Sequence, residues 1–105
     1  MRALVRLARQ RAVPLIVPAG ALAQAWRDGR RQARLAALVG AADTRIDVLD
    51  EAGAKAAGVL CGRSRTSDVV DSSVVVAARL HHAPVVTTDA ADLRRIDPAL
   101  EIQAL

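Results

Sequence analysis

The sequence predicts an α/β fold, a parallel sheet flanked by helices, and three observations predict it. Short apolar runs recur at 13–17 (VPLIV), 45–49 (RIDVL) and Val85-Val86, the lengths of buried or half-buried strands. Between them lie stretches whose apolar residues recur at helical spacing, so strands alternate with helices as βαβ units require. Third, carboxylates gather where predicted strands stop and helices start, at Asp68, Asp71, Asp89 and Asp92. That is the ligand edge of an open α/β sheet.

The elements follow in order. Residues 1–11 place Leu4, Leu7 and Ala8 on one side and Arg2, Arg6 and Arg9 on another, the pattern of a helix with no capping residue before it. The VPLIV strand is bounded by Pro18. Residues 19–27 read as a helix, interrupted near Asp28-Gly29, and 30–39 as another that stops at Gly40. RIDVL alternates as a strand, and Asp50-Glu51 opens a helix running to about Cys61. A polar loop at 62–66 precedes a helix that starts at Asp68 and ends at His81-His82, where cationic side chains suit the helix dipole. The Val85 strand, a short helix over 90–95 and a last strand near 101–105 complete the chain.

Length and composition fit a single domain over residues 1–105. The chain is 52% apolar and 25% charged, the balance of a folded globular protein. It has no Phe or Tyr and one Trp, so Ala, Val and Leu must fill the core. Fourteen arginines and the single Lys55 give a net charge of +4. The planar guanidinium suits phosphate, which makes this charge weak support for a nucleic-acid partner. The lone Cys61 excludes a disulfide within the chain and a thiolate metal site, and fits a cytoplasmic location. An apolar run behind Arg2, Arg6, Arg9 and Arg11 imitates a secretory signal, but Pro14 and Pro18 would break its helix. No apolar stretch is long enough to span a bilayer, so no membrane partner is expected. Trp26 reads as a packing anchor, the Arg27, Arg30, Arg31 and Arg34 group as a solvated helix face, and Cys61 as a small buried apolar residue.

The carboxylates carry the chemistry. Asp68 and Asp71 are three apart at a helix start and share one face. Asp89 and Asp92 repeat that spacing before the next helix. Each pair also fits plain capping, with the first Asp as N-cap and the second favoured by the dipole. Three or four acids at one sheet edge, with no Lys among them, would repel one another without a cation between.

The run Thr66-Ser67-Asp68-Val69-Val70-Asp71-Ser72-Ser73-Val74, followed by Val85-Val86-Thr87-Thr88-Asp89-Ala90-Ala91-Asp92-Leu93, resembles the PIN-domain ribonucleases, and within them the VapC-type toxins of toxin–antitoxin pairs. A weaker element is Val17-Pro18-Ala19 leading into Gln24-Ala25-Trp26, and the resemblance runs along the whole chain. It implies a PIN-like three-layer domain in which acids hold Mg²⁺ or Mn²⁺ and RNA is cleaved. Asp71 matches the family's helix aspartate, and Asp89 the acid or amide after the fourth strand; these two are the implied catalytic and metal residues. Asp68 is a further implied ligand. Thr66, Ser67 and Thr88 could support the acids, and Asp92 could substitute for Asp89. Gln24 stands where the family has a Glu, which removes a charge from the metal site. The implied partners are an RNA substrate, a small antitoxin protein and a second copy in a homodimer.

Family members open with a strand that ends in the first catalytic Asp. The resemblance therefore implies that the chain is N-terminally incomplete by roughly 15–20 residues, with the first central strand and first Asp missing. That strand would lie between those at 13–17 and 84–87. Without it two half-sheets would face each other across a gap of unpaired backbone groups, which a buried sheet should not tolerate, so a misplaced start, a truncated remnant or another segment filling the gap is implied. The alternative implied function is a truncated, non-catalytic PIN-domain remnant that at most binds an antitoxin. A response-regulator-like domain would also cluster Asp at strand ends, but the acidic pair after a first strand and the late Lys are missing here.

Overall fold

A computed structural model describes residues 14–27, 32–87 and 90–104. They are mixed α/β and form two compact units, one reaching to Val48 and the other starting at Leu49. The expected helix at 1–11, the break at Asp28-Gly29 and the end of the last strand at Leu105 lie outside the described residues.

The first unit contains β1 (Leu15–Pro18), α1 (Ala19–Ala25), α2 (Gln32–Val39) and β2 (Thr44–Asp47). β1 pairs in parallel with β2, from Leu15 opposite Thr44 to Pro18 opposite Asp47. Pro18 is both the last strand residue and the N-cap of α1. It has no N–H to give the ladder, and the chain turns helical immediately after it. That explains why β2 stops at Asp47, two residues short of the RIDVL run. Val48 and Leu49 have no strand residue to pair with, and both are exposed. α2 ends as the sequence predicts, with the Gly40 N–H donating to the Ala36 carbonyl at 3.0 Å. Leu38 is the buried residue of α2.

The second unit contains α3 (Glu51–Ser64), α4 (Val69–His81), β3 (Val85–Thr87), α5 (Ala90–Ile96) and β4 (Ile102–Ala104). β3 and β4 pair in parallel, from Val85 opposite Ile102 to Thr87 opposite Ala104. Among the described residues each unit thus holds one two-stranded parallel sheet. The core of this unit is Leu60, Val75, Leu93 and Ile96, with Val74, Val76, Val85, Leu100 and Ile102 packed against it. Three helices and the sheet each contribute to it, and it contains no aromatic ring.

α3 corrects one expectation. The sequence predicts a loop over 62–66, yet the helix continues through Gly62 and Arg63 to Ser64. A helical glycine costs only about 1 kcal/mol relative to alanine, too little to end a helix that packs along α4. The Ser64 hydroxyl also donates to the Ile96 carbonyl at 3.5 Å, holding the last turn. The stop comes at Arg65, whose backbone is left-handed (φ 55°). Its N–H donates to the Cys61 carbonyl, as does that of Thr66 at 3.1 Å. This is a Schellman-type ending without the usual glycine.

α4 closes in the same way. His82 is left-handed (φ 49°), and the Ala83 N–H reaches back to the Ala78 carbonyl at 3.0 Å. Only Ala83 and Pro84 separate this cap from β3. Asp97 joins α4 to the segment that follows α5. One carboxylate oxygen accepts from Nη2 and Nε of Arg79 at 2.9 and 3.0 Å, and the other accepts from the Ala99 N–H at 3.0 Å. Among the described residues no helix is long and apolar enough to cross a membrane.

Candidate functional site

The Thr66–Asp71 turn is built by its own side chains. Thr66 Oγ1 accepts from the Asp68 N–H at 3.1 Å. Asp68 Oδ1 then accepts from the Asp71 N–H at 2.9 Å, which makes Asp68 the N-cap of α4. The Asp68 carbonyl accepts the first helical bond, from the Ser72 N–H at 3.1 Å. Capping, the plain reading of the D-x-x-D spacing, is thus what Asp68 does in this fold. Asp71 lies in the first turn of α4 and is half-buried.

Beneath the turn lies a polar contact that the sequence does not announce. Ser72 is fully buried, and Cys61 Sγ, reaching from α3, stands 3.1 Å from its hydroxyl and 3.8 Å from the Asp68 carbonyl. Cys61 was expected as a small buried apolar residue; it is half-buried and engaged with a hydroxyl. The contact satisfies a buried Ser72 oxygen that would otherwise be costly. It also locks the start of α4 to the end of α3. No local sequence pattern signals it, because the pair are eleven residues apart on different helices.

The other predicted residues fall in different places. Ser67 is exposed in the same turn, next to Asp68. Thr88 and Asp89 lie outside the described residues; the last described residue before them is Thr87, at the end of β3. Asp92 is in the first turn of α5, with a long ion pair of 3.8 Å to Arg95 across the helix surface. Such an exposed pair contributes little. Gln24 is exposed on α1 of the first unit.

The donor chemistry of the turn is all oxygen, the set that Mg²⁺ and Mn²⁺ take. A carboxylate offers about four lone-pair sites, so the single bond that Asp68 accepts in the cap does not exhaust it. Among the described residues, however, no group of three or more His, Cys, Asp or Glu side chains converges. The turn offers two carboxylates; Asp92 does not join them in such a group, and Asp89 lies outside the described residues.

The cap itself gives a measurable expectation. Asp68→Ala should lower the unfolding free energy by about 1 kcal/mol, whereas Asp68→Ser should restore most of it, because serine caps equally well. Urea unfolding followed by circular dichroism reads this directly; equal stability of all three proteins would refute the cap.

Comparison with known protein families, characterised proteins and solved structures gives no match to this chain.

Proposed function

We propose that this chain is a PIN-like domain resembling the VapC-type toxins, a metal-dependent ribonuclease acting in the cytoplasm as one half of a toxin–antitoxin pair. The observation that carries the reading is the Thr66–Asp71 turn, where two carboxylates sit one helical turn apart at the start of α4. β3, the strand that follows α4, ends at Thr87, two residues before Asp89 in the sequence. In this reading Asp71 is the principal ligand of Mg²⁺ or Mn²⁺, with Asp89 and Asp68 as further ligands. Thr66 and Ser67 orient the acids or their waters, as Thr88 would, and Asp92 stands in reserve for Asp89.

A divalent cation held there would supply charge neutralisation for the phosphodiester and a water of lowered pKa. The chain's own part is geometric. The cap fixes the start of α4, the Cys61–Ser72 contact fixes that start against α3, and both together hold the backbone that carries Asp71. A ligand held this rigidly needs little reorganisation when charge develops at the phosphate. A small antitoxin protein would block the site, and the active form would be a homodimer.

A second reading has an observation in its favour: Asp68 already has a structural task as a cap. The chain would then be a non-catalytic PIN-like remnant that at most binds an antitoxin. Incubating the protein with labelled RNA separates the two. Cleavage that requires Mn²⁺ and stops with a chelator supports the nuclease; intact RNA at high enzyme concentration with either metal favours the remnant.

A further inference from the structure

We infer that Arg65 is an RNA-phosphate contact of the proposed nuclease, retained in a strained backbone position for its guanidinium. The inference rests on the ribonuclease reading and names how its substrate would be held. Arg65 adopts φ 55° at the C-terminal end of α3, a position where glycine is the default because a side chain clashes with the backbone. The fold uses only its backbone N–H, which closes α3 on the Cys61 carbonyl. The side chain is exposed and makes no hydrogen bond or ion pair among the described residues.

The electrostatics of the neighbouring turn supply a reason. An RNA phosphate approaching Asp68 and Asp71 meets two carboxylates of its own sign. Arg65 precedes Asp68 by three residues, at most about 11 Å of extended chain, close to the Debye length at 0.1 M salt. Its cation therefore acts on the same anion. The other guanidiniums of this unit are less well suited. Arg79 is held by Asp97 and Arg95 faces Asp92. Arg63 is still within α3, and Arg94 lies in the last turn of α5, away from its start. An uncommitted planar fork beside the acids is the group that a polyanionic substrate would engage.

The position makes an unusually clean test, because stability and binding should move apart. Arg65→Gly removes the guanidinium and relieves the backbone, so the urea midpoint should stay level or rise. Binding of a short, fluorescent, mixed-sequence single-stranded RNA in EDTA should weaken about fivefold at 0.1 M salt. The slope of log affinity against log salt should become shallower by about 0.7, the share of one single-strand phosphate contact. Arg65→Asn, which also tolerates the left-handed region, should match it if the glycine variant folds poorly. Arg94→Ala removes an equal charge and should leave the affinity close to wild type. Equal losses in the Arg65 and Arg94 variants would mean a general charge effect and overturn the inference. So would wild-type affinity and slope in both Arg65 variants of a chain that cleaves RNA with Mn²⁺; in that outcome the nuclease reading stands and Arg65 alone falls. A wild-type chain that neither binds nor cleaves RNA overturns both.

Discussion

Replacing Asp71 with alanine is expected to abolish Mn²⁺-dependent RNA cleavage while leaving the second unit folded. The side chain is the proposed principal ligand, and losing it should forfeit several kcal/mol of charge stabilisation, or about three orders of magnitude in rate. The fold should tolerate the change for a specific reason. Asp71 enters the cap through its backbone N–H, which donates to Asp68 Oδ1, and alanine retains that group. Alanine is also the best helix former, and the loss of an acid from a first turn costs about 0.3–1 kcal/mol. Single-turnover cleavage of labelled RNA and a circular-dichroism melt of the same sample give the two readings. Near-wild-type cleavage by a folded Asp71→Ala protein would end the assignment. Loss of cleavage with a collapsed melt would mean that the side chain is structural. Asp68→Ser then completes the comparison, because it keeps the cap but removes the carboxylate; a partial loss of rate is expected there.

The alternation of elements was legible because each depends on local signals. The D-x-x-D start of α4, the Asp50 start of α3 and the Gly40 stop of α2 are caps, and caps are written in adjacent residues. What escaped were features decided by distant partners. No local signal marks the end of α3, because the usual marker, a glycine just past the last turn, is replaced by Arg65. Gly62 stands three residues too early and is carried through by packing. The end of β2 is not written locally, because it depends on where its partner β1 turns into a helix, 29 residues earlier at Pro18 opposite Asp47. The candidate site divides along the same line. Asp68 and Asp71 could be placed by spacing alone, as helix-start residues. The Cys61–Ser72 contact beneath them could not, because nothing in either segment names the other.

Leu93→Ala is expected to be the most damaging single truncation in the second unit, lowering its stability by about 2–5 kcal/mol. Leu93 is only 3% exposed and shares the core with Leu60, Val75 and Ile96. It sits on α5, a helix of seven residues, far below the length at which a helix persists alone in water. α5 therefore exists because Leu93 and Ile96 bury against α3 and α4. Residues 49–105 contain no Phe, Tyr or Trp to close over a void. Removing Leu93 leaves a cavity and also takes half of the apolar anchor from α5. Leu80 is the matched control, a leucine on the neighbouring α4 that is 69% exposed. Leu80→Ala should cost no more than about 0.5 kcal/mol. Urea unfolding of both variants reads the contrast, and near-equal losses would mean that the core is not centred where these helices meet. The same experiment bears on the site. Asp92 is on α5 and Asp89 immediately precedes that helix, so loosening α5 should weaken Mn²⁺-dependent cleavage in Leu93→Ala at denaturant concentrations where α4 is still folded.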